Sequence, residues 1–221
     1  MSLQAISTLP KSETVQGLIV ILHGWGANAQ DVAALASFLD LPNYQFLFPD
    51  APFPFPHAPA GRMWYNFPES DGAMGSPAFY EQPELVESRN QLTKWLLSLE
   101  QSTGIPLERT ILGGFSQGGA MTLDVGLTLP LAALMVLSGY LHAPSRILEQ
   151  SSTSSPILIV HGRQDQVVPL AASHQARDGL LALKRSVQYH ELDMGHEIPP
   201  IVLGLMQSFI EESRFLPDSS A

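Results

Sequence analysis

Apolar residues along this chain fall into two kinds of run. Short, nearly continuous runs rich in Val, Ile and Leu occupy 15–22, 44–48, 110–112, 133–137, 157–160 and 187–192. Runs of that length with little polar alternation predict strands buried on both faces. Between them lie longer segments in which apolar residues recur every three or four positions, the spacing of a helix with one buried face. Asn28 is placed to cap a helix whose inner face is Val32, Leu35, Ala36 and Leu39. Pro83 suits the first turn of a helix carrying Leu85, Leu92, Leu96 and Leu99. Further helices are predicted over 117–129, where Pro130 stops the run, over 170–183 and over 200–214.

Strands therefore alternate with helices along the chain. That alternation predicts an α/β fold, a mostly parallel sheet with helices on both faces. The length of 221 residues fits one domain, 1–221. Ligand sites of such sheets lie beyond the carboxyl ends of the strands. One stretch fits neither kind of run. Residues 49–82 are irregular and proline-rich, which excludes long helix and central strand. Its many aromatics argue for order, and it is expected to form a long loop over the active site.

Composition narrows the function classes. Only 14% of residues are charged and 45% are hydrophobic, so the chain can bury a core. The net charge of −10 repels phosphate backbones and anionic lipid heads, which argues against nucleic-acid partners. The chain has no cysteine, which rules out disulfides, thiol chemistry and CxxC zinc sites. No apolar run approaches the ~20 residues of a membrane span, and no apolar leader is visible. The expectation is a cytoplasmic protein without stable membrane insertion. No HExxH motif occurs, and neither a metal nor a cofactor is expected.

Chemistry enters at Gly114-Phe115-Ser116-Gln117-Gly118. G-x-S-x-G between a strand and a helix is the pattern of a nucleophile elbow, in which a strained Ser is lifted out of the turn and the glycines leave it room. A Ser hydroxyl needs a base to take its proton. Of seven His, His196 is best placed, in a loop between the last strand and the last helix. The orienting acid is expected between Ser116 and His196 at a strand end. Asp165 meets that condition and Asp193 is its rival, being only three residues from His196. The oxyanion donors are expected to be the backbone amides of Gln117, just after the nucleophile, and Trp25, in the His23-Gly24-Trp25-Gly26 loop after an early strand. The Trp25 indole, Phe53, Trp64 and Tyr65 are the candidate pocket wall.

These residues together resemble the carboxylesterase and phospholipase family of α/β-hydrolases that includes the acyl-protein thioesterases. The resemblance is carried by LHGWG (22–26), PDAP (49–52), Trp64-Tyr65, ILGGFSQGG (111–119), HGRQDQVVP (161–169) and MGHEI (194–198). It implies an α/β-hydrolase core without a separate cap domain. It also implies a Ser116, Asp165, His196 triad with the Trp25 and Gln117 amides as oxyanion donors. The sequence departs from the family pattern at Trp25, often Leu, and Ala27, often Asp. An indole at the acyl pocket is expected to shorten or redirect the channel. The expected substrate is a small-molecule carboxylic ester or thioester, with acylated lipids and proteins included. The alternatives are lactone opening or perhydrolysis by the same triad, and a ligand-binding receptor that does not turn its ligand over.

Overall fold

The computed structural model describes residues 3–67, 77–142 and 154–213. Its strands in chain order are β1 (Ala5–Thr8), β2 (Gly17–Leu22), β3 (Tyr44–Pro49), β4 (Phe53–Pro54), β5 (Arg62–Met63), β6 (Thr110–Phe115), β7 (Ala133–Leu137), β8 (Ile157–Gly162) and β9 (Val187–Leu192). Seven of them form one sheet in the order β1-β3-β2-β6-β7-β8-β9. All neighbours are parallel except the antiparallel β1–β3 pair at one edge. The mostly parallel α/β-hydrolase sheet expected from the sequence is present.

Burial explains which strands were visible as apolar runs. Every residue of β2, β7 and β8 is buried, because helices cover both faces. Alternate residues serve two cores. Leu18, Val20, Leu112, Leu134, Val136 and Ile159 point to one side, and Ile19, Ile21, Ile111, Met135, Leu158 and Val160 to the other. β1 alternates exposed and half-buried positions as an edge strand, so its AIST sequence carries no apolar run and gives no signal.

The helices follow from caps and spacing. In α1 (Ala29–Ala33) the Asn28 side chain accepts from the Gln30 and Asp31 amides, and the Asp31 carboxylate accepts from the Asn28 amide, a reciprocal capping box. The apolar positions beyond it continue as a 3-10 turn, Ala34–Phe38. Within the proline-rich stretch the structure has more regularity than expected. β4 and β5 pair as a two-stranded hairpin, and α2 (Pro77–Tyr80) is a single turn that begins on a proline. Residues 68–76 of that stretch lie outside the described residues, as does Arg214.

The long helix α3 (Pro83–Thr103) begins on Pro83 and ends at Gly104, whose φ of 73° is the left-handed conformation that closes a helix. It buries Leu85, Leu92, Leu96 and Leu99, as the spacing predicts. The elbow helix α4 (Gln117–Gly126) is shorter than its sequence suggests. Its end tightens into turns, with Thr128 N–H bonding Val125 O and Leu129 N–H bonding Gly126 O. The remaining α-helices among the described residues are α5 (Leu170–Ala182) and α6 (Pro200–Glu212).

Among the described residues two carboxylates are buried, Asp165 near the carboxyl edge of the sheet and Asp124 within the helical layer. Asp124 of α4 accepts from Arg89 Nε of α3 at 2.9 Å, and His142 Nδ1, in the loop after β7, lies 3.2 Å from the same oxygen. Burial resists ionisation of Asp124, but His142 and Arg89 outweigh it and hold the carboxyl below its ordinary pKa. His142 Nε2 meets the Tyr65 hydroxyl at 2.7 Å, and Tyr65 meets Tyr140 at 2.5 Å. This chain ties α3, α4 and two loops together. Removing the anion leaves a cation and an imidazole without their partner, so Asp124→Ala is expected to cost about 3 kcal/mol, read as a lower urea midpoint.

Candidate active site

β2 and β6 are neighbours, but the chain leaves them in opposite directions. β2 leads to β3 on one side, and β6 leads to β7 on the other. Loops that part in this way open a crevice at the carboxyl edge of the sheet. The loop after β2 is His23 to Gly26, and the turn after β6 is Ser116.

Ser116 has φ 56° and ψ −118°, a conformation that costs an L residue about 1–3 kcal/mol. The surroundings impose it. Its N–H donates to Leu137 O at 2.8 Å, and its carbonyl accepts from the Ala120 amide at 3.1 Å. A side chain at Gly114 would overlap the Gly118 carbonyl, and one at Gly118 would overlap the Leu22 and His23 carbonyls. The elbow is thus wedged between two strand ends. Ser116 is 8% exposed, a narrow opening to solvent.

Asp165 and His196 are brought together from loops 31 residues apart. His196 Nδ1–H donates to Asp165 Oδ2 at 2.7 Å. The other oxygen, Oδ1, accepts from the Val167 and Val168 amides at 2.9 and 2.8 Å. Burial opposes the charge, but the bonds from His196, Val168 and Val167 prevail and keep the carboxyl below its usual pKa. The His196 ring packs on Phe115, the residue before Ser116, with centroids 4.6 Å apart.

The two loops are zipped along their backbones, Arg163 N–H to Leu192 O at 2.8 Å and Gln164 N–H to Met194 O at 3.1 Å. Gly162 has no room for a side chain against the Met194 and Gly195 carbonyls. Asp193, the rival acid, is exposed and pairs with Arg163 at 2.8 Å, so it braces the loops instead of meeting His196. His161 is buried beneath the acid, its Nε2–H donating to Val168 O at 2.8 Å.

Gly24 approaches the serine so closely that a Cβ there would lie 3.4 Å from Ser116 Cβ. Trp25 follows it. Among the described residues, neither the Trp25 nor the Gln117 N–H is engaged by another hydrogen bond. Gln117 directly follows the serine and Trp25 follows Gly24, so these two amides are the candidates for an oxyanion site.

The aromatic candidates divide. The Trp25 indole is 39% exposed and stacks edge-on against Phe55 at 4.7 Å and Phe67 at 5.3 Å. Phe53 is half-buried in β4, opposite Met63. Trp64 and Tyr65, expected on the pocket wall, are completely buried. Trp64 Nε1–H donates to His23 O at 3.0 Å, and the Tyr65 hydroxyl belongs to the Asp124 chain. They back the site, because each needs a buried partner for its polar atom.

The Gln117 side chain clamps both residues, accepting from Trp64 N–H at 2.9 Å and donating to Tyr65 O at 2.8 Å. Sequence reasoning used only the Gln117 amide. The clamp was not legible, since its partners lie 52 and 53 residues away. Arg62 was also missed. Its guanidinium holds Ala51 O and Pro52 O, at 2.9 and 3.1 Å.

A strained strand-to-helix turn at the carboxyl edge of a mostly parallel seven-stranded sheet is the architecture of an α/β-hydrolase. The model of the phospholipase/carboxylesterase family matches residues 4–214, and the chain belongs to that family. It is similar to acyl-protein thioesterase 1 of Saccharomyces cerevisiae, 29% identical over 222 residues, which cover 92% of this chain and 95% of that one. It is also similar to acyl-protein thioesterase 1 of Neurospora crassa, 30% identical over 209 residues, covering 90% and 84%. Among solved structures, that of esterase PE8 has a TM-score of 0.87 and 31% identity, over 96% of this chain and 99% of that one. The protein is a hydrolase of the carboxylesterase and thioesterase kind. Among the described residues, no helix is long and apolar enough to cross a membrane.

Two buried rings give the fold a pH dependence. Burial lowers the pKa of His23 and of His161 below the ordinary 6.5. Below pH 6.5 the unfolded chain takes up protons that these rings refuse in the folded state, so acid favours unfolding. The urea midpoint is expected to fall between pH 7.5 and 5. His161→Gln, which keeps a donor for Val168 O without a titrating ring, should flatten part of that slope.

Proposed function

We propose that the protein cleaves carboxylic esters and thioesters through an acyl-enzyme on Ser116. The observation that carries this reading is the 2.7 Å bond from His196 Nδ1–H to a buried Asp165, set beside a serine held in a strained turn. The Ser116 hydroxyl attacks the acyl carbonyl while His196 Nε2 takes its proton. Asp165 keeps the His196 proton on Nδ1 and stabilises the imidazolium. The Trp25 and Gln117 amides receive the oxyanion. His196 then returns the proton to the leaving alcohol or thiol, and water repeats the cycle to release the acid.

Two observations support the substrate class. The exposed Trp25 indole, packed on the half-buried Phe55 and Phe67, suits an apolar acyl or aryl group. The relatives named acyl-protein thioesterase and esterase support both a thioester and an oxygen ester, on a small molecule or an acylated lipid or protein.

The test is hydrolysis of p-nitrophenyl esters of increasing acyl length. Ser116→Ala is expected to lose on the order of 10⁶ in kcat. A variant that keeps more than a hundredth of the activity would refute the nucleophile. Lost turnover together with lost fluorophosphonate labelling in the wild type would favour a receptor. In the same series, Trp25→Leu removes the indole but keeps the backbone donor, so the preferred acyl length should shift with kcat retained. An unchanged length profile would remove the indole from the pocket.

A further inference from the structure

The Trp25 amide shares a peptide unit with the Gly24 carbonyl. A trans peptide is planar, with its C=O and N–H pointing in opposite directions. Whatever fixes the carbonyl of Gly24 therefore aims the N–H of Trp25. That carbonyl lies 2.8 Å from Nδ1 of His23, and the other ring nitrogen, Nε2, lies 3.0 Å from the Ala51 amide nitrogen. A carbonyl can only accept and an amide N–H can only donate. Those two partners leave one protonation state, a neutral ring with its hydrogen on Nδ1. We propose that His23 is a positioning residue, which turns the Gly24–Trp25 peptide so that the Trp25 N–H faces the oxyanion formed at Ser116. The inference rests on the acyl-enzyme reading above.

The ring is built in firmly enough for this task. It is fully buried, and Trp64 packs on it at 5.7 Å between centroids. Burial disfavours its charged form, and Arg62 adds to that, while the Gly24 carbonyl and the Asp50 and Asp31 carboxylates act in the other direction. Its anchor, Ala51, is held by Arg62 Nε at 2.9 Å. The Arg62 backbone in turn pins the far side of the loop, with Gly26 N–H donating to Arg62 O at 2.9 Å and Arg62 N–H to Ala27 O at 2.8 Å. The loop is thus held at 26 and 27 by β5, and at 24 by His23. The Gly24 carbonyl also takes a longer bond from the Ala27 amide, 3.3 Å. Loss of the imidazole should therefore misaim the donor without freeing the peptide.

Two substitutions separate the ring's two bonds. His23→Asn keeps a donor at the place of Nδ1, for Gly24 O, and abandons Ala51. His23→Gln reaches the place of Nε2, keeps an acceptor for Ala51 and abandons Gly24 O. Deleting an oxyanion donor costs about 10²–10³ in kcat, and misaiming one should cost somewhat less. His23→Gln is expected to lose about 30-fold in kcat with KM within about twofold. His23→Asn should keep kcat within about fivefold, despite the lower Tm that follows from an unpaired buried amide at Ala51. A purely structural histidine gives the opposite pattern, with kcat following the folded fraction in both variants. That pattern, or wild-type kcat in His23→Gln, overturns the proposal. Ser116→Ala in the same assay keeps the two ideas apart. If Ser116→Ala is active, the acyl-enzyme reading fails. If it is inert and His23→Gln is unimpaired, only the role of His23 fails. Should both variants misfold, ¹⁵N–¹H correlation of the wild-type imidazole at pH 7 decides. A neutral Nδ1–H ring is expected, and an Nε2–H tautomer or an imidazolium overturns the assignment.

Discussion

Ser116 sits at φ 56° and ψ −118°, and most of the surrounding structure serves to hold it there. No local preference of the chain favours that conformation, so it persists only where neighbours over-determine it. The neighbours are backbone groups. Leu137 O on β7 takes the serine N–H, and the carbonyls of Leu22 and His23, at the end of β2, leave room for nothing larger than Gly118. The elbow therefore depends on β2, β6 and β7 lying side by side in register. Register in turn depends on the two apolar cores, because a slip of one residue would exchange Ile19 and Ile21 for Leu18 and Val20. Burial of ordinary aliphatic side chains is what holds Ser116 in strain.

The rest of the site follows the same plan, with polar side chains spent on backbone. Gln117 is taken up by the Trp64 amide and the Tyr65 carbonyl, His161 by Val168 O, and Arg62 by Ala51 O and Pro52 O. His23 joins Gly24 to Ala51 in the same way. Each of these groups fixes the backbone of a loop beside the site. Irregular backbone has no ladder to satisfy its N–H and C=O groups, so side chains take the place of one. Among the described residues, the Trp25 and Gln117 amides contrast with them in having no hydrogen-bond partner. An unsatisfied donor beside a half-closed site costs stability, and it is tolerated where a substrate group will satisfy it.

Charge is handled by the same economy. Asp124 and Asp165 are both buried carboxylates held ionised by hydrogen bonds, yet they differ in where their partners point. Asp124 faces Arg89 and His142 inside the helical layer, and the chain ends at two tyrosines whose hydroxyls burial keeps protonated. Asp165 faces His196, which remains 16% exposed at its side chain and packs on Phe115. One cluster is closed on itself and braces the fold. The other opens at the carboxyl edge of the sheet, beside Ser116.

Much of this was legible in the chain. Five strands announced themselves because two-sided burial demands apolar runs, while β9, expected to be buried on both faces, is an edge strand half-buried throughout; the elbow was legible because its glycines stand at fixed offsets from Ser116. Pro83 and Asn28 marked helix starts through chemistry confined to a single turn. The choice of Asp165 over Asp193 also followed from local position, at the end of a strand. Tertiary structure alone decided the rest. β1 is an edge strand, which needs no apolar signature, and only its pairing with β3 reveals it. Trp64 and Tyr65 look like pocket aromatics in sequence. Whether such a ring faces solvent or core depends on distant acceptors, here His23 O for one and Tyr140 and His142 for the other. His23 reads in sequence as one more residue of a glycine-rich turn. Its partners are a neighbouring carbonyl and an amide 28 residues on, and only the folded chain brings both to one imidazole. Periodicity and short motifs are written locally because the forces behind them act within a few residues. The direction in which a buried polar atom points is set by whatever the fold places opposite it.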